Sequence, residues 1–250
     1  MCGRFTSTSN VERLAEAYAV DEVKTEPLPL RYNVAPSQLV YAVATLRPKE
    51  GRPDPVRQLG AFRWGLVPSW AKEPAVANRM INARAEGIES KAAFRRALAR
   101  RRCIIPADAF YEWQVLPFPS SAGGKAKRSK PAWAVRRRDG EPMAFAGLWE
   151  LWRPPDDPVG EPLRTCTIIT TEANEALAPI HDRMPVILDQ SAWDTWLDPA
   201  EEDMGLVQRL LVPAPAEWFD AFPVTSRVNK VDNEGPELLE VVPPPRAPAL

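Results

Sequence analysis

Proline is the residue that most constrains what this chain can fold into. The 250 residues include 28 prolines, distributed along the whole chain, together with nine tryptophans. A proline lacks a backbone N–H and interrupts both helix interiors and central strands. The sequence therefore predicts many short strands and loops, and it argues against a helical bundle.

The spacing of apolar residues predicts a single mixed α+β domain over residues 1–242. The expected helices are Asn10–Val20 with Asn10 as its cap, Lys91–Arg102 with Ser90 as its cap, and three short ones at Asn174–Leu177, Ala192–Leu197 and Met204–Leu211. The expected strands are Tyr41–Leu46, Arg57–Trp64, Cys103–Ile105, Ala109–Trp113, Ala132–Val135, Ala144–Leu151 and Cys166–Thr170. We expect a curved, partly closed, barrel-like sheet with helices around it. Loops are expected at Leu116–Lys130 and Trp152–Pro162, and a disordered tail at Pro243–Leu250.

The composition limits the kinds of partner. Because 32 Lys and Arg residues stand against 33 Asp and Glu residues, a nucleic-acid site must be a local patch. Cys2, Cys103 and Cys166 cannot form a fully paired disulfide framework, and they lack the spacing of a zinc site. The sequence shows neither a signal peptide nor an apolar run long enough to cross a membrane. We expect a cytoplasmic protein, nucleoid-associated in a bacterium, without a metal or a cofactor.

Cys2 carries the most distinctive chemistry, because removal of Met1 would convert it into a 1,2-aminothiol. Its amine and its sulfur can then attack one aldehyde carbon, giving a Schiff base and afterwards a five-membered thiazolidine ring. The thiol reacts as thiolate, so a neighbouring cation or hydrogen-bond donor would speed ring closure. The alternative is that Cys2 is only a small second residue without a role. Cys103 and Cys166, among apolar neighbours, are predicted to be buried.

Three polar residues are candidates for proton transfer and orientation. Glu112 lies between Tyr111 and Trp113, where desolvation would raise its pKa, unless it faces outward from its strand. His181, the only histidine, lies in a polar turn and suits proton transfer, although a lone histidine is usually structural. Asn82 offers both a donor and an acceptor, unless it is a turn or cap residue.

Seven phrases, spread over most of the chain in family order, resemble the SRAP family, the SOS-response-associated peptidase-like proteins that shield abasic DNA. They are MCGRF (Met1–Phe5), RYNVAP (Arg31–Pro36), WGLVPSW (Trp64–Trp70), NARAE (Asn82–Glu86), RRCIIPADAFYEW (Arg101–Trp113), FAGLWE (Phe145–Glu150) and IHDRMP (Ile180–Pro185). One phrase alone is weakly specific, whereas the ordered set is highly specific. The resemblance implies that Cys2 crosslinks to an abasic site, that Glu112 performs acid–base chemistry and that His181 belongs to the active site. We assign Asn82 to the same catalytic set.

The partner that the resemblance implies is single-stranded DNA containing abasic sites, and we expect the protein to be a monomer. Such DNA needs cations along its phosphates and flat side chains for stacking. Our candidates are Arg4, Trp70, Arg84 and Arg183, although an individual arginine can instead form a salt bridge. Asn33 is left as structural or peripheral.

Other cationic and aromatic residues are given ordinary roles. Trp64, Trp133 and Trp149 lie in strand-like runs and are predicted to be core residues. Arg95–Arg102 is predicted to be the solvated face of the second helix. Lys125–Lys130 would add nonspecific electrostatic attraction for DNA.

The expected activity is covalent capture of the abasic aldehyde as a thiazolidine through Cys2, which masks the lesion from strand cleavage. Elimination of the 3′ phosphate, a lyase reaction, and self-removal of Met1 are expected as minor activities. Two alternatives remain open: a cysteine peptidase with an N-terminal nucleophile, and a noncovalent single-stranded DNA-binding module.

Overall fold

The computed structural model describes residues 2–48, 50, 52–114 and 130–244. In chain order its strands are β1 (Phe5–Ser7), β2 (Glu22–Val23), β3 (Arg31–Val34), β4 (Leu39–Leu46), β5 (Val56–Trp64), β6 (Asn82–Arg84), β7 (Arg102–Ala107), β8 (Ala109–Trp113), β9 (Ala132–Arg137), β10 (Met143–Trp152), β11 (Leu163–Glu172), β12 (Arg183–Pro185) and β13 (Phe219–Val224). Its helices are α1 (Val11–Ala17), α2 (Arg95–Arg100), α3 (Trp193–Leu197) and α4 (Met204–Arg209). The fold is a single mixed α/β domain, as the sequence predicts.

Five strands of the larger sheet close into a ring in the order β5–β4–β7–β10–β11. The neighbouring pairs are antiparallel, and β11 returns to β5 in parallel, with Thr165 opposite Arg63 and Cys166 opposite Trp64. Alternate residues point inward and form one buried cluster, which includes Phe62, Ile105 and Cys166. β2 extends this sheet beside β5, and β6 and β12 each pair with β11.

The smaller sheet, in the order β13–β9–β8–β1–β3, meets the ring at one end. The ring of Phe5, on β1, lies 5.1 Å from that of Trp64 and 6.1 Å from that of Phe145, measured between centroids. Because β8 pairs with β1, this junction brings Glu112 and Cys2 to the same end of the molecule. The fold therefore positions residues that lie far apart in the sequence.

Most predicted elements are confirmed, with differences at the helices. Asn10 caps α1, its side-chain oxygen accepting a hydrogen bond from the backbone N–H of Arg13. The second helix is shorter than predicted, and Ser90 does not cap it, because its hydroxyl donates to the carbonyl of Gly87 instead. Asn174–Leu177 forms turns rather than a helix, since apolar spacing over so few residues does not establish a helical period.

Some predictions fall largely outside the described ranges. Of the loop Leu116–Lys130 only Lys130 and of the tail Pro243–Leu250 only Pro243 and Pro244 are described. The domain boundary at residue 242 stays a prediction. In the part of the chain that the structure describes, no helix is long and apolar enough to cross a membrane, and no three His, Cys, Asp or Glu residues cluster as metal ligands.

Candidate active site around Cys2

Cys2 is buried at the junction between the ring and the smaller sheet. Its side chain is fully enclosed in the core cluster that fills the ring, and its backbone carbonyl accepts a hydrogen bond of 2.8 Å from the Asn82 amide. Burial raises the pKa of the Cys2 thiol well above its usual value, and the charge of Glu112 raises it further. The thiol is therefore held neutral.

Asn82 is positioned by the parallel pairing of β6 with β11, where it lies opposite Ile168. Its amide nitrogen holds Cys2, while its buried side-chain oxygen accepts no hydrogen bond from any described residue. Asn82 is thus neither a helix cap nor a turn residue. Asn82 therefore fixes the carbonyl oxygen of Cys2 and leaves its own side-chain oxygen as an acceptor beside Cys2.

Glu112 lies on β8 opposite Trp133 of β9, and its side chain points into the protein. Burial raises the pKa of this carboxyl to about 7, because removal from water disfavours the charged form. The alternative of an outward-facing strand carboxylate is therefore wrong. A carboxyl that titrates near neutrality can both give and accept a proton at cellular pH.

His181 faces Glu112, with its Nε2 atom 4.0 Å from Oε2 of the carboxyl. Its Nδ1 atom accepts a hydrogen bond of 3.0 Å from the backbone N–H of Arg183 and also lies 2.9 Å from Oδ1 of Asp182. Burial lowers the pKa of the imidazole. The charge of Asp182 raises it, but the Asp182 side chain is 88% exposed and water screens its charge. The neutral ring therefore carries its proton on Nε2, towards Glu112.

The four predicted catalytic residues thus converge from two strands, from the segment before β1 and from the turn before β12, although they span 180 positions of the sequence. A family model described as SOS response associated peptidase (SRAP) matches residues 1–231. The chain belongs to the SRAP family.

Curated relatives and solved structures agree with this membership. The SRAP relative "Abasic site processing protein YoqW" of Bacillus subtilis is 42% identical over 241 residues, covering 96% of this chain and 99% of the relative. "Abasic site processing protein HMCES" of Gallus gallus is 34% identical over 268 residues, covering 96% and 77%. A crystal structure of a Bacteroides thetaiotaomicron protein has a TM-score of 0.78 at 22% identity, over 96% of this chain and all of that one, which shows the fold.

The predicted DNA-contacting residues of this SRAP protein differ in their surroundings. Trp70 is 61% exposed in a turn after β5, and Arg84 is exposed on β6, on the same face as Asn82. Arg4 donates to the side-chain oxygen of Asn33 at 2.7 Å and to the carbonyl of Val228 at 2.9 Å. Arg4 thus has structural partners, whereas Trp70 and Arg84 face solvent.

Arg183 is held by a carboxylate that the sequence analysis did not single out. Its guanidinium donates two hydrogen bonds to Glu86, at 2.7 and 2.9 Å, and one of 2.7 Å to the carbonyl of Thr170. Arg183 is 12% exposed and Glu86 is 57% exposed, so the pair lies at the surface beside His181. The only available signal was that Glu86 ends the NARAE phrase.

Two structural assignments need correction. Arg102 does not lie on a solvated helix face, because it starts β7 and its buried guanidinium donates to the carbonyls of Leu98 and Trp196. Trp64 is fully buried as predicted, whereas Trp133 and Trp149 are only partly buried against the core. The alternation of a strand predicts which face a residue lies on. It does not predict whether that residue lies in the middle of the core or at its edge, as Trp133 and Trp149 do.

Proposed function

We propose that this SRAP protein captures the aldehyde of an abasic site in single-stranded DNA as a covalent crosslink through Cys2. The observation that carries the proposal is the position of Cys2, whose carbonyl is held by Asn82 beside a carboxyl with a pKa of about 7. The names of the relatives, abasic site processing proteins, support the same substrate.

The first step joins the Cys2 amine, exposed when Met1 is removed, to the C1′ aldehyde carbon. An α-amine titrates near pH ~8, so a useful fraction is neutral and nucleophilic in the cell. The addition gives a carbinolamine, which loses its hydroxyl as water when Glu112 supplies a proton. His181, with Nε2–H towards Glu112, orients the carboxyl and the opening sugar.

The second step closes the ring. The Cys2 sulfur adds to the imine carbon, and the thiol proton passes to the imine nitrogen through Glu112. Aldehyde and aminothiol thus give thiazolidine and one molecule of water. Because burial keeps the thiol neutral, the sulfur reacts after the imine has formed and does not attack first as free thiolate.

The imine has two other outcomes. Loss of a proton from C2′ eliminates the 3′ phosphate and cleaves the strand, the minor lyase activity. Return of water to the imine carbon releases the DNA, with Glu112 again moving the proton. Burial of Cys2 favours the thiazolidine over both, because the sulfur adjoins the amine and is itself enclosed in the core.

Single-stranded DNA would lie across the surface formed by Trp70, Arg84 and Arg183. Trp70 offers a stacking face, and the two arginines offer positive charge beside Asn82 and His181. Recognition then depends on strand shape and aldehyde reactivity rather than on base sequence.

The test uses the Met1-processed protein, a single strand with one abasic site and a denaturing gel. The wild type and Cys103→Ala, a buried control cysteine, should give a heat-resistant band. Cys2→Ala keeps an N-terminal amine, so it should give a band only after borohydride reduction of the imine. A heat-resistant band from unreduced Cys2→Ala would overturn the proposal.

The same variants separate the alternatives. The family description names a peptidase, and a cysteine peptidase would lose peptide cleavage in Cys2→Ala. A noncovalent binder would retain full DNA affinity in Cys2→Ala and give no crosslink in any form. The raised pKa of the thiol disfavours thiolate attack on a peptide, which is why crosslinking is proposed first.

A further inference from the structure

A groove lies at the end of the strand ring opposite Cys2. A cavity of about 150 Å³ and a neighbouring one of about 460 Å³ share three lining residues. We call the two together the distal groove; its shared residues are Leu46, Trp149 and Leu151. Small-molecule sites commonly occupy ~300–1,000 Å³, so the distal groove has the size of a ligand site.

The register of β11 separates the distal groove from the candidate active site. On β11, Arg164 lines the groove, whereas Ile168, four residues further along, lies opposite Asn82 at the Cys2 end. Four residues of strand span roughly 13 Å, and that length is filled by buried side chains. The distal groove is therefore a separate site.

Trp149 forms the aromatic wall shared by both cavities. Its ring is partly buried and lies edge-on to Phe62, with centroids 6.0 Å apart. Its buried indole N–H donates to no described residue, and neither does the buried Nε of Arg101 in the adjoining cavity. Buried donors are nearly always satisfied, and a ligand that accepts hydrogen bonds at this groove would satisfy both.

Positive charge flanks Trp149 on both sides. The exposed Arg164 forms neither an ion pair nor a side-chain hydrogen bond with any described residue. Gly60 lies beside its guanidinium and carries no side chain. On the other side Arg47 donates to the carbonyl of Pro199.

The remaining cations of the distal groove have acidic partners. Lys24 pairs with Glu22 at 3.2 Å and Arg101 with Glu150 at 2.6 Å. Arg100 reaches only the exposed Glu202, at 3.4 Å. Arg164 is therefore the cation most available to an anion.

We propose that the distal groove binds a nucleotide, with its phosphate on Arg164 and its base along Trp149. The indole N–H and the Nε–H of Arg101 would donate to acceptors of the base or sugar. A planar group with an attached phosphate satisfies the aromatic wall, the buried donors and the available cation together. The nucleotide is either free in solution or part of a strand that passes this end.

The experiment follows the indole N–H signals of the ¹⁵N-labelled protein, with Trp149→Phe to assign the signal of Trp149. Deoxyadenosine monophosphate should shift that signal saturably, and deoxyadenosine should do so far more weakly. Arg164→Gln should raise the Kd by about tenfold, the cost of a charge-assisted hydrogen bond. Arg138→Gln, an exposed arginine paired with Asp220 in the smaller sheet, should leave it unchanged.

A short oligodeoxyadenylate without abasic sites distinguishes the two sources. A shift by the monophosphate identifies a free nucleotide, and an Arg164-dependent shift by the oligonucleotide alone identifies a strand. No Trp149 shift with either probe, or a shift that persists in Arg164→Gln, overturns the proposal. Cys2→Ala should still bind, and Arg164→Gln should still crosslink, so failure here is distinguishable from failure of the proposed function.

Discussion

Nε2 of His181 lies 4.0 Å from Oε2 of Glu112, and the same burial moves the pKa values of these two groups in opposite directions. Burial raises the pKa of Glu112 to about 7 and lowers that of His181. Both shifts favour the neutral form, since a low-dielectric site disfavours either charge. Below about pH 7 the pair is therefore uncharged, with one proton on Glu112 and one on Nε2 of His181.

Glu112→Gln should stabilise the protein at alkaline pH. The folded-state pKa of Glu112 lies above its unfolded value of 4.5, so the folded state holds the proton more tightly. The wild type therefore loses stability as the pH rises from 4.5 to about 7. The variant should gain up to about 3 kcal/mol in free energy of unfolding at pH 8, and nothing at pH 4. Urea titrations at both pH values measure this difference.

In the same titrations, Glu86→Gln should change the free energy of unfolding at high pH in the opposite direction to Glu112→Gln. Hydrogen bonds from Arg183 lower the pKa of Glu86, so its contribution is present above the unfolded pKa and is lost as the pH falls. This variant should be less stable than the wild type at pH 8 and equal to it in strong acid. Equal stability of wild type and Glu112→Gln at pH 8 would contradict the burial argument.

The crosslinking rate should have a bell-shaped dependence on pH. The reactive form needs the neutral Cys2 amine, with a pKa near ~8, and the protonated Glu112, with a pKa of about 7. The rate should therefore rise below about pH 7, be greatest between the two pKa values and fall above pH ~8. Glu112→Gln should react about 10²-fold or more slowly and should lose the falling limb. Single-turnover gels across pH give both profiles. A falling limb retained in Glu112→Gln would assign the acid to another group.

Asn82→Ala should slow crosslinking by about fivefold without weakening DNA binding. The lost hydrogen bond to the Cys2 carbonyl is worth ~1 kcal/mol, and it fixes the amine rather than the DNA. Asn233→Ala, which removes a similar amide-to-carbonyl bond to Arg227, is the matched control. Rates come from gels and affinities from fluorescence anisotropy with intact DNA. An equal loss in affinity would show that Asn82 contacts the strand instead.

Trp70→Ala should weaken noncovalent binding of single-stranded DNA by ~1–3 kcal/mol and leave the Tm nearly unchanged. The ring is 61% exposed, so its loss removes a stacking face and little packing. Trp64→Ala, in contrast, should lower stability by ~3–5 kcal/mol, because Trp64 is fully buried against Phe5. Anisotropy and thermal melts distinguish the two. Unchanged DNA affinity in Trp70→Ala would remove this residue from the interface.

Local patterns predicted seven of the thirteen strands in the described residues. The strands that they missed are β1, β2, β3, β6, β12 and β13. Val56–Trp64 and Ala109–Trp113 follow the period of a strand, and the structure reproduces both within one residue. The parallel contact of β5 with β11 that closes the ring leaves no local signal. It joins Arg63 to Thr165, about a hundred positions away, so it follows only from the assembled fold.

In the candidate site, too, the sequence predicted which residues take part but not how they are arranged. Residue chemistry and family phrases led to Cys2, Glu112 and His181, but they could not show what surrounds the thiol. The structure buries that thiol next to a carboxyl, because β8 and β1 pair. Likewise the partner of Arg183, Glu86, lies 97 positions away, and an arginine's partner is set by tertiary packing.

Glu86→Gln should tighten noncovalent DNA binding by about two- to fivefold at low salt. Glu86 competes with phosphate for Arg183 and adds negative charge beside the proposed strand path, while the bond from Arg183 to Thr170 keeps the guanidinium in place. A partly exposed ion pair contributes ~0.5–1 kcal/mol, which sets this range. Anisotropy at several salt concentrations should show the gain disappear as salt screens both charges. Arg183→Gln should bind more weakly and remove the effect of Glu86→Gln in the double variant. If Glu86→Gln weakened binding instead, Glu86 would serve to position Arg183 rather than to compete with the phosphate for it.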